Sequence, residues 1–115
     1  MPVKRHSAGL ESAATVFAAL GDRTRLRLVA RLSAEGVASI TRLSSGTRIT
    51  RQAITKHLHV LSDAGVVRGF RHGREQLWEL NPEQLQEARQ QLELIGRQWG
   101  QVLERLKASI ESTPY

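Results

Sequence analysis

The sequence contains no cysteine, which excludes disulfides, thiolate metal sites and a cysteine nucleophile. Histidine occurs only at His6, His57, His59 and His72, and none lies between Glu83 and Tyr115. No apolar run approaches the roughly 18 residues that a membrane span requires, so no membrane partner is expected. The opening MPVKRHSAG is basic but lacks the apolar core of a secretory signal, and an intracellular, cytoplasmic protein is expected. Acidic residues are isolated, and neither a glycine-rich phosphate loop nor a nucleophile motif is present. The chain is therefore not expected to be an enzyme or to need a cofactor.

What is present is basic charge in one place. The 115 residues suit one domain with a working core, and 17 basic against 11 acidic residues give a net charge of +6. Between Arg42 and Arg74 stand seven basic residues against Asp63 alone, so this window carries the whole excess. From Pro82 onward there are four basic and five acidic residues. Basic residues can serve solubility alone, but their concentration in one window points to a polyanion partner.

Inside that window lies TRQAITKHLHVLSDAG, Thr50 to Gly65. Thr50 can cap a helix, and Gly65 suits the left-handed position just beyond its end. Ile54, Leu58 and Leu61 recur at helical spacing and predict one buried stripe. Arg51, Gln52, Thr55, Lys56 and His59 lie off the stripe, with Arg51, Thr55 and His59 sharing a face. An apolar back with a donor-rich front is what a DNA major groove admits.

Upstream, residues 1–9 have no usable periodicity and are expected to form a flexible arm. Leu10, Ala13, Ala14, Phe17, Ala18 and Leu20 predict a first helix ending at Gly21. Asp22 can cap a second helix, with Leu26, Val29, Ala30 and Leu32 inward and Gly36 as its stop. Arg23, Arg25, Arg27 and Arg31 read as its solvated face. Ser39 to Gly46 predicts a short helix with Ile40 and Leu43 inward, and Thr47 to Ile49 turns the chain into the donor-rich helix. That pair makes a helix-turn-helix.

Val66 to Leu80 predicts a two-stranded hairpin turning at His72-Gly73, with Arg71, His72 and Arg74 at its tip. Val66, Val67, Phe70, Leu77, Trp78 and Leu80 supply its packing residues. Asn81-Pro82-Glu83-Gln84 predicts a helix start, with Gln84 reaching back in a capping box. Along this last helix Leu85, Ala88, Leu92, Ile95, Trp99, Val102 and Leu106 are spaced 3-4-3-4-3-4, the coiled-coil period. The seam is longer than one small domain needs and predicts pairing with a second copy. Gly96 and Gly100 flank Trp99, which suggests a close helix approach or a hollow beside the indole. Residues 111–115 are expected to fray.

Three segments together carry a family resemblance: FAALGDRTRLRLVARLS (Phe17 to Ser33), RQAITKHLHVLSDAGVV (Arg51 to Val67) and GREQLWELNP (Gly73 to Pro82). Over about Ser12 to Ile110 the chain resembles the ArsR/SmtB family of bacterial winged-helix repressors. The resemblance implies a mainly α (α+β) winged helix-turn-helix, with about five helices and a hairpin wing. Residues 10–110 would form the domain, and 82–110 its dimerisation helix. It also implies a homodimer built from the first and last helices, with Leu10, Ala13 and Phe17 joining the seam of the last helix. That dimer would bind a near-palindromic double-stranded operator and repress transcription. The DNA-binding set would be Arg48, Thr50, Arg51, Gln52, Thr55, Lys56, His57, His59, Arg71, His72 and Arg74. In the family's pattern Arg51, Gln52 and Thr55 read bases, while Lys56 and His57 contact the backbone or anchor the helix.

This chain lacks the cysteines through which many relatives sense metal. His57 and His59 stand two apart on a helix and point apart, so they cannot share one ion. No metal site is expected, and release falls to a small-molecule inducer. A metal-responsive repressor with a different site, and a winged helix docking an acidic protein, are the alternatives.

Overall fold

In the computed structural model, residues 2–112 are described, with side chains from Gly9 onward. The chain runs α1 (Pro2–Leu20), α2 (Arg23–Glu35), β1 (Val37–Ser39), α3 (Ile40–Ser44), α4 (Arg51–Asp63), β2 (Val67–His72), β3 (Glu75–Leu80) and α5 (Pro82–Ser112). This is the winged helix-turn-helix that the pattern predicts, with a third strand added. The helix begins at Pro2, so residues 2–9 carry helical backbone where a loose arm was expected. A proline fits a first helical turn, where its missing amide would have no partner. At the other end α5 includes Glu111 and Ser112, and the rest of the expected frayed tail, 113–115, lies outside the described residues.

The core gathers Val16, Leu32, Leu43, Ile54, Leu58, Leu61, Val66 and Val67, all essentially sealed from solvent. The stripe predicted for α4 is the one observed. On the first two helices only part of the predicted stripe faces inward: Ala13 and Leu32 are buried, and Leu20 and Val29 pack against the core. On α1 the buried residues are Ala13, Val16 and Ala19, while Leu10 and Phe17 face outward. On α2 they are Leu28 and Leu32, and Leu26 is 53% exposed. Both helices carry apolar residues on several sides, so spacing alone did not select the inward face.

Arginine side chains also occupy inward positions on α2. Arg25 Nε donates to the Ala19 carbonyl at 2.6 Å. Arg31 Nη1 donates to the carbonyls of Leu43 and Ser45 at 3.1 and 2.9 Å. Neither guanidinium is merely part of the solvated face expected for it.

The expected short helix stops at Ser44, two residues before Gly46. Ser44 Oγ donates to the Thr41 carbonyl and Thr47 Oγ1 to the Ser44 carbonyl, local bonds that compete with another helical turn. The connector to α4 therefore spans Ser45 to Thr50.

The sheet order is β1-β3-β2, both pairs antiparallel. Phe70 faces Leu77, and Gly69 faces Trp78 across the hairpin. A Cβ at Gly69 would lie 3.0 Å from the Trp78 ring, so the glycine makes room for the indole. Beyond the sheet, Asn81 N donates to the Val66 carbonyl at 2.8 Å. That occupies the amide the predicted capping box required. Gln84 turns instead to α1, accepting from Ser12 Oγ at 2.9 Å. α5 then packs along α1 before projecting beyond it.

Candidate nucleic-acid interface

Thr50 starts α4 as predicted, its side chain accepting from the Ala53 amide at 3.1 Å. Capping uses the hydroxyl as an acceptor, and its own O–H can still donate. With Ile54, Leu58 and Leu61 sealed behind the helix, Arg51, Gln52, Lys56 and His59 stand exposed on it. Arg51 Nη2 donates to Thr41 Oγ1 at 2.9 Å, so its guanidinium is held toward α3. Thr55 is half-buried, and its hydroxyl donates to the Arg51 carbonyl at 2.8 Å. Arg48 is exposed on the connector.

His57 has a different place from its neighbours. It is half-buried, with Nδ1 at 3.4 Å from Arg25 Nη1 and 3.9 Å from Asp22 Oδ2. It faces the start of α2, which favours its role as an anchor of α4 over a groove contact. Asp22 caps α2 by accepting from the Arg25 amide at 2.9 Å. That backbone hydrogen bond holds its carboxyl below the usual aspartate range, aided by the charge on Arg25.

The wing presents Arg71, His72 and Arg74 on its exposed tip, around Gly73 with φ +64°. Arg68 is occupied within the sheet, donating to Glu79 Oε1 at 2.8 Å. His59 touches the sheet as well, its ring meeting Trp78 edge-on with centroids 6.0 Å apart. Sequence reasoning placed these donors but missed Thr41, Arg25 and the His59–Trp78 pair, because each depends on a contact between distant segments.

Residues 20–69 match the family model described as a helix-turn-helix domain. An uncharacterised HTH-type transcriptional regulator of Bacillus subtilis, YuzN, is 40% identical over 76 residues, which span 61% of this chain and 83% of that protein. The solved ArsR-like transcriptional regulator from Rhodococcus sp. RHA1 is 34% identical, with a TM-score of 0.75, and the match covers 90% of this chain and 97% of that one. The chain belongs to the ArsR family of winged helix-turn-helix transcriptional regulators. At the level of fold it also matches a homodimeric winged helix-turn-helix DNA-binding domain from Mycobacterium bovis, with 22% identity and a TM-score of 0.63, over 81% of this chain and 85% of that one.

As an ArsR-type regulator the chain binds DNA. Not all of the expected dimer residues remain available to a second copy. Ala13 and Ala88 are buried in the protomer's own core, and Leu85 packs against it. They are spent inside the protomer. Leu10, Phe17, Leu92, Ile95, Trp99, Val102 and Leu106 remain uncovered, with Trp99 62% exposed. A Cβ at Gly96 or Gly100 would meet nothing within 4 Å, so the protomer alone forms no hollow around these glycines. Among the described residues, no three His, Cys, Asp or Glu side chains gather to hold a metal ion. His6 lies outside the residues whose side chains are described. No described helix is long and apolar enough to cross a membrane.

Proposed function

We propose that this regulator is a homodimeric repressor that holds a near-palindromic operator and is released by a small-molecule inducer. The observation that carries the reading is the division of α4 into a sealed apolar back and an exposed row containing Arg51, Gln52 and Lys56. Arg51 can address guanine through two parallel hydrogen bonds, and Gln52 can address adenine. Lys56, Arg48, Arg71 and Arg74 neutralise phosphates and set register without reading sequence.

The uncovered row on the distal half of α5 supports the two-fold assembly. It includes Leu103 and Ile110, 56% and 65% exposed, beside Trp99 and Leu106. A seam of this kind is covered by a second copy of the same helix. Two α4 helices would then enter successive major grooves about 34–36 Å apart.

Selection of bound duplexes from a random pool tests the reading. Recovery of an inverted repeat, with binding that falls steeply as salt rises, is the expected result. Recovery of no preferred duplex at low salt would overturn it and leave the basic face to an acidic protein partner.

A further inference from the structure

Between α2, the α3–α4 connector and the first turns of α4 lies a cavity of about 360 Å³. The apolar surface it offers is the half-buried Ile49 with the aliphatic stems of the arginines around it, and directly beneath lie the sealed side chains of Leu28, Leu43 and Ile54. Its rim carries Arg27, Arg31 and Arg48, and no carboxylate lines it. The nearby Glu35 approaches Arg31 Nε at 3.8 Å but lies closer to Arg42, at 3.1 Å. The cavity is more enclosed than the clefts beside α5, and its volume falls within the range of about 300–1,000 Å³ typical of small-ligand sites.

We propose that this cavity is a site for a small organic anion with an apolar body, of the aryl carboxylate type, and that its occupation releases DNA. Ile49 and the arginine stems gain by being covered by a ring, and a guanidinium rim gains by a paired hydrogen bond to a carboxylate. A bare inorganic anion would leave Ile49 and the arginine stems uncovered. A neutral ring would leave the rim without a counter-charge.

The link to α4 runs through Arg31. Its Nη1 joins α2 to the Leu43 and Ser45 carbonyls where α3 ends. A carboxylate on the rim competes for that guanidinium and slackens the connector leading to Thr50 and Arg51. A ligand shifts an equilibrium only by preferring one state, and the site offers such a preference through this tether. The release half of the proposal rests on the operator reading above, whereas the binding half does not.

The test titrates 1-naphthoate into the full chain without DNA, following methyl resonances. Saturable shifts at Leu28, Leu43 and Ile54 are expected. Arg27→Gln should weaken binding at least about tenfold, the size of one charge-assisted hydrogen bond, and Arg89→Gln should leave it unchanged. Naphthalenemethanol, the neutral counterpart, should bind as weakly to wild type as naphthoate does to Arg27→Gln. Absent shifts, shifts confined to the α5 leucines, or equal affinity in Arg27→Gln would overturn the site. In the second arm naphthoate displaces wild type from its selected duplex but not Arg27→Gln. Saturation without displacement overturns the release role. Failure to bind any duplex before naphthoate is added overturns the operator reading, and with it release, while the shift data still decide the site.

Discussion

Arg31 spends its guanidinium on two carbonyls that close α3, whereas Arg51 lies on the exposed side of α4 and touches only a surface hydroxyl. The two should respond to alanine in opposite assays. Arg31→Ala is expected to lower folding stability by about 1–3 kcal/mol, measured by urea unfolding, because the carbonyls lose their donor. Arg51→Ala should leave the unfolding midpoint nearly unchanged. Its operator affinity should fall by about 1–3 kcal/mol, with relaxed preference at one base pair per half-site. Arg74→Ala should weaken operator and scrambled duplex alike and reduce the salt slope by about one. Equal losses for Arg51→Ala on both duplexes would remove it from base reading. Asp22 adds a pH signature. Its carboxyl is held low in the folded state by the Arg25 amide, so its contribution is present above the usual aspartate range and lost as pH falls through the folded value. Asp22→Asn keeps a capping oxygen but cannot titrate. Thermal melts at falling pH should therefore show a shallower acid decline for the variant.

At the scale of elements, α4 was the most legible part of the chain. Its cap, its stripe and the glycine beyond it all point the same way. Ile54, Leu58 and Leu61 are fully buried, and Leu58→Ala is expected to cost about 2–5 kcal/mol in chemical denaturation. Gly65 was legible too, with φ +79°. A Cβ there would also sit 2.8 Å from Gln84 Cγ, so Gly65→Ala should destabilise through both strain and contact. Other elements were hidden for identifiable reasons. β1 is three residues long and exists because Ala38 pairs with Trp78, a partner 40 positions away. Ala-rich α1 and Arg-studded α2 offer several plausible inner faces. His57 sits within the donor-rich segment yet turns toward Asp22 and Arg25, which spacing on one helix cannot reveal. That this segment is rich in donors was readable from sequence; which of its side chains cap or anchor helices became clear only from contacts.

At the scale of the whole molecule, the protomer is elongated, with principal extents of 70 × 39 × 20 Å, because α5 leaves the core behind. Its distal half keeps Trp99, Leu103, Leu106 and Ile110 in water, an arrangement that favours assembly over isolation. Trp99→Glu combined with Leu106→Glu should shift the protein from dimer to monomer in sedimentation at micromolar concentration, with the helix-turn-helix still folded. Operator affinity should then fall sharply while nonspecific binding at low salt persists. A double variant that stays dimeric would move the interface elsewhere. The sheet order bears on solubility as well. Since β3 is central, β2 forms an open border with unpaired backbone groups, and the exposed Arg71 and His72 lie along it. Side chains suited to a nucleic-acid backbone also discourage a second copy from adding its strand there. Neutral β-branched residues at Arg71 and His72 would then cost the protein twice, in grip and in resistance to ribbon-like self-association, and light scattering of the DNA-free protein would register the second loss.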